Sequence, residues 1–196
     1  LCVARFIKKK NHKTLIEAFQ IYKKNNGNLN LLMIGFGPEE KSIKKEINKS
    51  KFKKSIFIDS WKQINELPTY YKNSKANILA SSTDQWGLVV NEAMASSLPC
   101  IVSYECGCYE ELIKDKNTGW GVDPENENQL TNILHEIDKI GEKEFLEKKS
   151  NCLKIINNYS LENFSQAVQE SAYFSLKNNK FSPLCLLTSY LIFWFK

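Results

Sequence analysis

The stretch ANILASSTDQWGLVVNEAMASSLPCIVS, residues 76–103, decides the architecture. Ala76–Ala80 and Cys100–Ser103 are short apolar runs of strand length, and residues 87–97 between them have the length and apolar face of a helix. A nearly continuous apolar strand is covered on both sides, and a helical crossover between two such strands belongs to a parallel sheet.

The same alternation extends in both directions. Upstream lie the strand-like runs Leu1–Phe6, Leu31–Ile34 and Ile56–Ile58, separated by helical stretches over 12–26, 38–50 and 64–73. Leu15, Phe19 and Tyr22 fall at i, i+4 and i+7, which marks one buried helix face. Downstream, a helical stretch over 108–114 precedes a short strand at Trp120–Val122. The pattern predicts an α/β fold, a doubly wound parallel sheet with helices on both faces. Beyond Pro124 it turns purely helical, over 127–139, 142–158 and 161–178. The expected organisation is one domain over residues 1–175 and an apolar tail over 176–196.

Composition narrows the function classes. Of the 196 residues, 42% are hydrophobic and 25% charged, the balance of an ordinary globular chain. The six cysteines, at 2, 100, 106, 108, 152 and 185, include no C-x-x-C pair and have only His12 and His135 for company. That is neither a disulfide scaffold nor a zinc-ligand pattern, and it reads as reduced thiols in a cytosolic protein. The longest apolar run, Leu184–Phe195, is shorter than the roughly 20 residues a bilayer-spanning helix needs. The chain opens on Leu1, within a strand-like run and with no signal-peptide pattern, which reads as a piece of a longer protein.

Charge is unevenly spread. Residues 1–75 hold 17 Lys/Arg and 6 Asp/Glu, net +11, whereas residues 76–196 carry 10 and 16, net −6. A basic half fits phosphate-bearing ligands, nucleic acid or an anionic membrane surface, and it also fits the solvated helix faces of a lysine-rich chain. No aromatic platform is interleaved with the basic residues, which argues against nucleic acid. The sole arginine is Arg5.

In doubly wound sheets ligands meet the C-terminal ends of the strands, so the strand-to-helix loops carry the chemistry. After the first strand, Arg5 and Lys10 precede a helix whose free N–H groups could join them around an anion; the competing reading is a solvated lysine loop. After the second, Gly35-Phe36-Gly37-Pro38 makes half of a dinucleotide fingerprint. The third glycine of that fingerprint would fall on Glu40, whose carboxylate opposes a pyrophosphate, so NAD is not expected. After the fourth, Asp84 stands just before Gly87, which opens an apolar helix and exposes the N–H groups of Gly87, Leu88 and Val89. Glu92 shares a helix face with Leu88, and a carboxylate there needs donors such as the vicinal hydroxyls of a ribose.

These residues resemble the C-terminal, donor-binding half of the retaining glycosyltransferases of family 4, which have the GT-B fold. The family's E-x7-E signature reads Asp84 to Glu92, followed by Ala93-Met94-Ala95, Pro99, Gly107, Glu111 and Asn117-Thr118-Gly119. Val3-Ala4-Arg5 to Lys10 is similar to the family's phosphate clamp, Ile34–Pro38 to its second loop, and Phe57–Trp61 with Leu67–Tyr71 to its base-side strand and helix. The resemblance implies a Rossmann-like nucleotide-sugar domain whose N-terminal acceptor domain is missing from this sequence. Arg5, Lys10 and the N–H groups of Gly87, Leu88 and Val89 would hold the diphosphate of a UDP- or GDP-sugar. Asp84 and Glu92 would be the catalytic carboxylates, Asp84 facing the donor sugar and Glu92 binding the ribose, and Gly35 and the Ser60–Trp61 loop would line the nucleotide. No metal or other cofactor is implied. The acceptor would be a glycan or lipid-linked glycan of cell-surface polysaccharide assembly, in the cytoplasm or at the inner membrane face with peripheral contact to anionic lipid.

Three positions depart from the family pattern: Asp84 is one methylene shorter than the usual Glu, Ala4 replaces a Gly, and Ser97 stands where a helix-ending Gly is common. A side chain at Ser97 costs about 0.5–1 kcal/mol if that residue is left-handed. The expectation for these residues alone is weak nucleotide binding and no sugar transfer. The alternative is a non-catalytic nucleotide- or anionic-surface-binding module, whose binding would survive loss of Arg5 and Glu92 and collapse with salt.

Overall fold

The computed structural model describes residues 1–177. The tail expected over 176–196 falls outside the described residues beyond Lys177, as does Cys185. The chain divides into two compact units, Leu1–Asn157 and a second beginning at Asn158, whose described part, residues 158–177, contains the helix α8, Leu161–Lys177. Among the described residues no helix is long and apolar enough to cross a membrane.

In the first unit six strands alternate with helices. They are β1 (Cys2–Val3), β2 (Leu31–Ile34), β3 (Ile56–Asp59), β4 (Asn77–Leu79), β5 (Cys100–Ser103) and β6 (Gly119–Val122). The helices are α1 (His12–Lys24), α2 (Glu40–Lys49), α3 (Leu67–Lys72), α4 (Leu88–Ala95), α5 (Cys108–Leu112), α6 (Glu127–Lys139) and α7 (Glu142–Ile156). All pairings are parallel, in the ladders β1-β2-β3 and β4-β5-β6. The ladders meet where Ile78 N–H donates to the Leu1 carbonyl at 2.8 Å and the Leu1 amino group to that of Ala76 at 2.9 Å. The resulting order is β3-β2-β1-β4-β5-β6, with its reversal between β1 and β4. Ligand crevices of doubly wound sheets open at such a reversal.

Strand periodicity sorts the core into two layers. Cys2, Ala4, Leu31, Met33, Ile78 and Ile101 pack against α1, α2 and α6 on one face. Leu1, Val3, Ile34, Leu79, Cys100 and Val102 pack against α3, α4, α5 and α7 on the other. Leu15, Phe19 and Tyr22 form the buried face of α1 that their spacing predicts. The third helix is shorter than the predicted 64–73, because Pro68 has no N–H to close a turn onto the preceding residues. The first strand is also shorter than the apolar run, although Ala4 N–H and Phe6 N–H still bond across to Ile34 and Phe36.

Helix α4 ends in a Schellman motif: Leu98 N–H donates to Ala93 and Ser97 N–H to Met94. The pivot of that motif is Ser97, at φ 59°. The left-handed conformation that favours Gly at this position is therefore held by a serine.

Candidate functional site

Three loops converge at the C-terminal edge of the sheet around the β1/β4 reversal. The first leaves β1 through Arg5 and enters a short 3-10 turn, Lys8–Lys10. Asn11, left-handed at φ 55°, joins this turn to α1. Its side chain donates to the Pro124 carbonyl at 2.7 Å and accepts from the Thr14 hydroxyl at 2.8 Å, which fixes the junction. The second loop, after β4, is stitched to the first: Ser82 N–H donates to the Lys9 carbonyl at 2.9 Å, and the Lys10 ammonium is ion-paired with the Asp84 carboxylate. Both side chains of that pair are mostly buried, at 15% and 13% exposure. The third loop, after β5, clamps Asp84 from behind. Asp84 N–H donates to Glu105, and Gly107 N–H donates to the Asp84 carbonyl at 3.0 Å. A Cβ at Gly107 would lie 2.0 Å from the Gln85 carbonyl oxygen, so only glycine permits this approach.

Gly87 introduces α4 at φ 103°. The first N–H groups of a helix have no intrahelical acceptor; Val90 N–H donates to the Gly87 carbonyl at 2.8 Å, and those of Gly87, Leu88 and Val89 are available to an anion. Leu88 is exposed beside them. Arg5 is exposed and makes no ion pair among the described residues.

One turn into α4, the half-buried Glu92 accepts a hydrogen bond at 2.9 Å from the hydroxyl of the fully buried Tyr71 on α3. Burial and the neighbouring Glu92 charge push the Tyr71 phenol well above its ordinary range, so it is always the donor. Glu92 lines a cavity of about 370 Å³ with Ile64, Leu67, Pro68 and Tyr71. Beyond the end of β3, Trp61 is 48% exposed and meets the half-exposed Phe36 edge to face, at 5.9 Å between ring centroids. Asp59 is held below the usual carboxylate range by Lys62, the Ser60 N–H and the Tyr70 hydroxyl. A Cβ at Gly35 would lie 1.9 Å from the Ala4 carbonyl oxygen, so this glycine is required for the β1 and β2 loops to approach each other.

The family Glycosyl transferases group 1 matches residues 1–157. The chain belongs to that family. It is 31% identical over 135 residues to alpha-monoglucosyldiacylglycerol synthase of Acholeplasma laidlawii, an alignment covering 69% of this chain and 33% of the relative. The chain spans about a third of the length of the curated relatives it matches. A glycosyltransferase structure from Rickettsia africae superposes with a TM-score of 0.78 at 23% identity, over 91% of this chain and 48% of the other. The pneumococcal O-GlcNAc transferase GtfA, solved with UDP and GlcNAc, gives 0.72 at 21% identity, over 86% and 35%. The Leu1–Asn157 unit is thus a parallel α/β domain of the GT-B kind.

Within this glycosyltransferase domain, the fold brings Lys10 and Asp84 into contact and puts Arg5 and Gly87–Val89 on the same sheet edge. Glu92 sits toward α3, and Trp61 with Gly35 marks the β2–β3 side. Tyr71 and Phe36 were not singled out by sequence reasoning. Both lie inside the motifs Leu67–Tyr71 and Gly35–Pro38, yet nothing in their spacing reveals a hydroxyl on Glu92 or a ring against Trp61. Cys106 and Cys108, pushed up to about 11 and about 12 by burial, stay protonated thiols. Among the described residues no group of three or more His, Cys, Asp or Glu could hold a metal ion.

Proposed function

We propose that this domain is the donor-binding half of a retaining glycosyltransferase of family 4, which transfers a hexosyl group from a UDP- or GDP-sugar in cell-surface polysaccharide or glycan assembly. The observation that carries the reading is the joining of two loops across the β1/β4 reversal. One loop presents Arg5 and Lys10; the other presents Asp84 and the free N–H groups of α4. As the glycosidic bond breaks, negative charge grows on the departing diphosphate, and donors already aimed at that charge lower the barrier. The Lys10 ammonium donates one N–H to the Asp84 carboxylate and has two left for a phosphate oxygen. Arg5 and the N–H groups of Gly87, Leu88 and Val89 complete the cradle, and these cations and the helix dipole serve in place of a metal ion.

In this reading Glu92 accepts the ribose hydroxyls, the Trp61–Phe36 pair stacks on the base, and Asp84 faces the donor sugar. The acceptor, a glycan or lipid-linked glycan, attacks from the face the diphosphate leaves and is seated by the remainder of the enzyme. Support comes from the threefold greater length of the relatives, from UDP and GlcNAc in the pneumococcal relative, and from a relative named for a glycolipid. In this reading the enzyme works in the cytoplasm, with peripheral contact to the inner membrane face. Lys41, Lys45, Lys51, Lys53 and Lys54, all exposed along α2 and the turn after it, offer contact to anionic lipid. Co-sedimentation with phosphatidylglycerol vesicles, absent with phosphatidylcholine, tests that contact.

Trp61 fluorescence tests the donor reading. Titration with UDP, GDP and ADP is expected to give saturable quenching with UDP or GDP, absent in Trp61→Leu. Quenching by neither of those two contradicts it.

A further inference from the structure

We infer that Tyr71 is a positioning residue for nucleotide recognition: its hydroxyl fixes the Glu92 carboxylate in the orientation that reads the ribose. The inference rests on the donor-site reading above and extends it to a residue that never touches the nucleotide.

Glu92 stands half-buried beside Val90, Ala93 and Met94, on a helix whose one other polar residue, Asn91, is taken by the Trp86 indole N–H at 2.8 Å. A carboxylate in such a place needs donors, and a flexible one could satisfy itself in several rotamers. Tyr71 removes that freedom. The residue is 1% exposed, packed in the layer formed by Leu67, Val90 and Met94, so its hydroxyl is delivered to a fixed point. The bond goes to one carboxylate oxygen, Oε2, at 2.9 Å. A carboxylate has two oxygens and about four acceptor directions, so Oε1 remains for a ligand hydroxyl. Glu92 also borders the 370 Å³ cavity whose wall includes Ile64 and Pro68, so its side of α4 is open to a ligand.

The neighbouring tyrosine supplies the internal control. Tyr70 follows a different direction around α3 and donates to Asp59 Oδ2 at 3.1 Å, on the β3 side. The two hydroxyls thus serve different carboxylates from adjacent positions. A purely structural role for Tyr71 would affect every nucleotide alike; a positioning role acts only through the hydroxyl that Glu92 reads.

The test is equilibrium binding of UDP and GDP and of their 2′-deoxy counterparts to the chain, Tyr71→Phe, Tyr70→Phe, Glu92→Gln and the double variant Tyr71→Phe/Glu92→Gln. Tyr71→Phe keeps the packing and removes only the hydroxyl. It is expected to weaken the preferred ribonucleotide about tenfold, as loss of a bond ordering a charged acceptor does. Its 2′-deoxy counterpart should change less than twofold, so the preference for ribose shrinks. Tyr70→Phe should keep that preference, and the double variant should bind no more weakly than Glu92→Gln, because both changes disable one device. If Tyr71→Phe weakens both sugars equally, leaves both unchanged, or adds fully to Glu92→Gln, the inference falls while the donor site stands. If the parent chain binds neither UDP nor GDP, the donor-site reading falls and takes the inference with it.

Discussion

His12, the first residue of α1, should make this domain acid-sensitive well above the carboxylate range. It is 4% exposed, meets Phe6 edge to face at 5.1 Å, and its Nε2 has no hydrogen-bond partner. Burial, reinforced by the Lys10 charge, depresses its pKa from 6.5 to about 4. The unfolded chain therefore takes up this proton first, and stability rises with pH through the window between those values. The contribution is complete above pH 6.5 and is lost as pH falls toward 4. The gap between 6.5 and about 4, at 1.36 kcal/mol per pH unit, makes the loss about 3 kcal/mol. For a unit of this size that lowers the melting temperature by about 6–12 °C. Urea unfolding of the chain and of His12→Leu, at half-unit steps from pH 7 to 4, isolates this term, because carboxylate titrations are common to both. The parent should lose about 3 kcal/mol more than the variant over this span. Parallel stability curves would refute the argument and mean that His12 reaches water or a partner when protonated.

Other perturbations have equally definite outcomes. Ser97→Gly relieves a left-handed serine at φ 59° and should raise stability by about 0.5–1 kcal/mol in thermal unfolding; a loss would mean that the conformation is unstrained. Tyr22→Phe removes a hydroxyl that donates to Asp138 at 2.7 Å and accepts from Leu29 N–H at 2.8 Å. It should cost about 1–3 kcal/mol in urea unfolding, since the Leu29 N–H is left without its acceptor while Asp138 keeps the Asn28 N–H. Lys10→Met leaves the mostly buried Asp84 carboxylate without its cation and should lower both stability and nucleoside-diphosphate affinity. If nucleotide affinity holds while stability drops, Lys10 is only the keeper of Asp84.

The sheet was legible because its strands are apolar on both faces: the runs around Ala76–Ala80 and Cys100–Ser103 leave no solvent side, which only a covered parallel sheet accommodates. The face of α1 was legible from Leu15, Phe19 and Tyr22 alone. Strand order was not, because pairing is non-local and the reversal between β1 and β4 depends on which edges meet. For the same reason the spacing of Arg5 and Lys10 marked an anion loop without revealing that Lys10 is held by Asp84, 74 residues away. The Tyr71–Glu92 bond, across 21 residues and two helices, and the Phe36–Trp61 contact are likewise products of packing. Ser97 was legible as a departure from glycine; its left-handed backbone became visible only with the helix end itself.

The most direct test of the account is a calorimetric titration of UDP and GDP into this chain and into Arg5→Ala. The donor-site account predicts saturable binding of one nucleotide at a single site, weakened at least about tenfold by the substitution, as loss of a charge-assisted contact entails. Binding that is indifferent to Arg5, or no binding of either nucleotide, would contradict it.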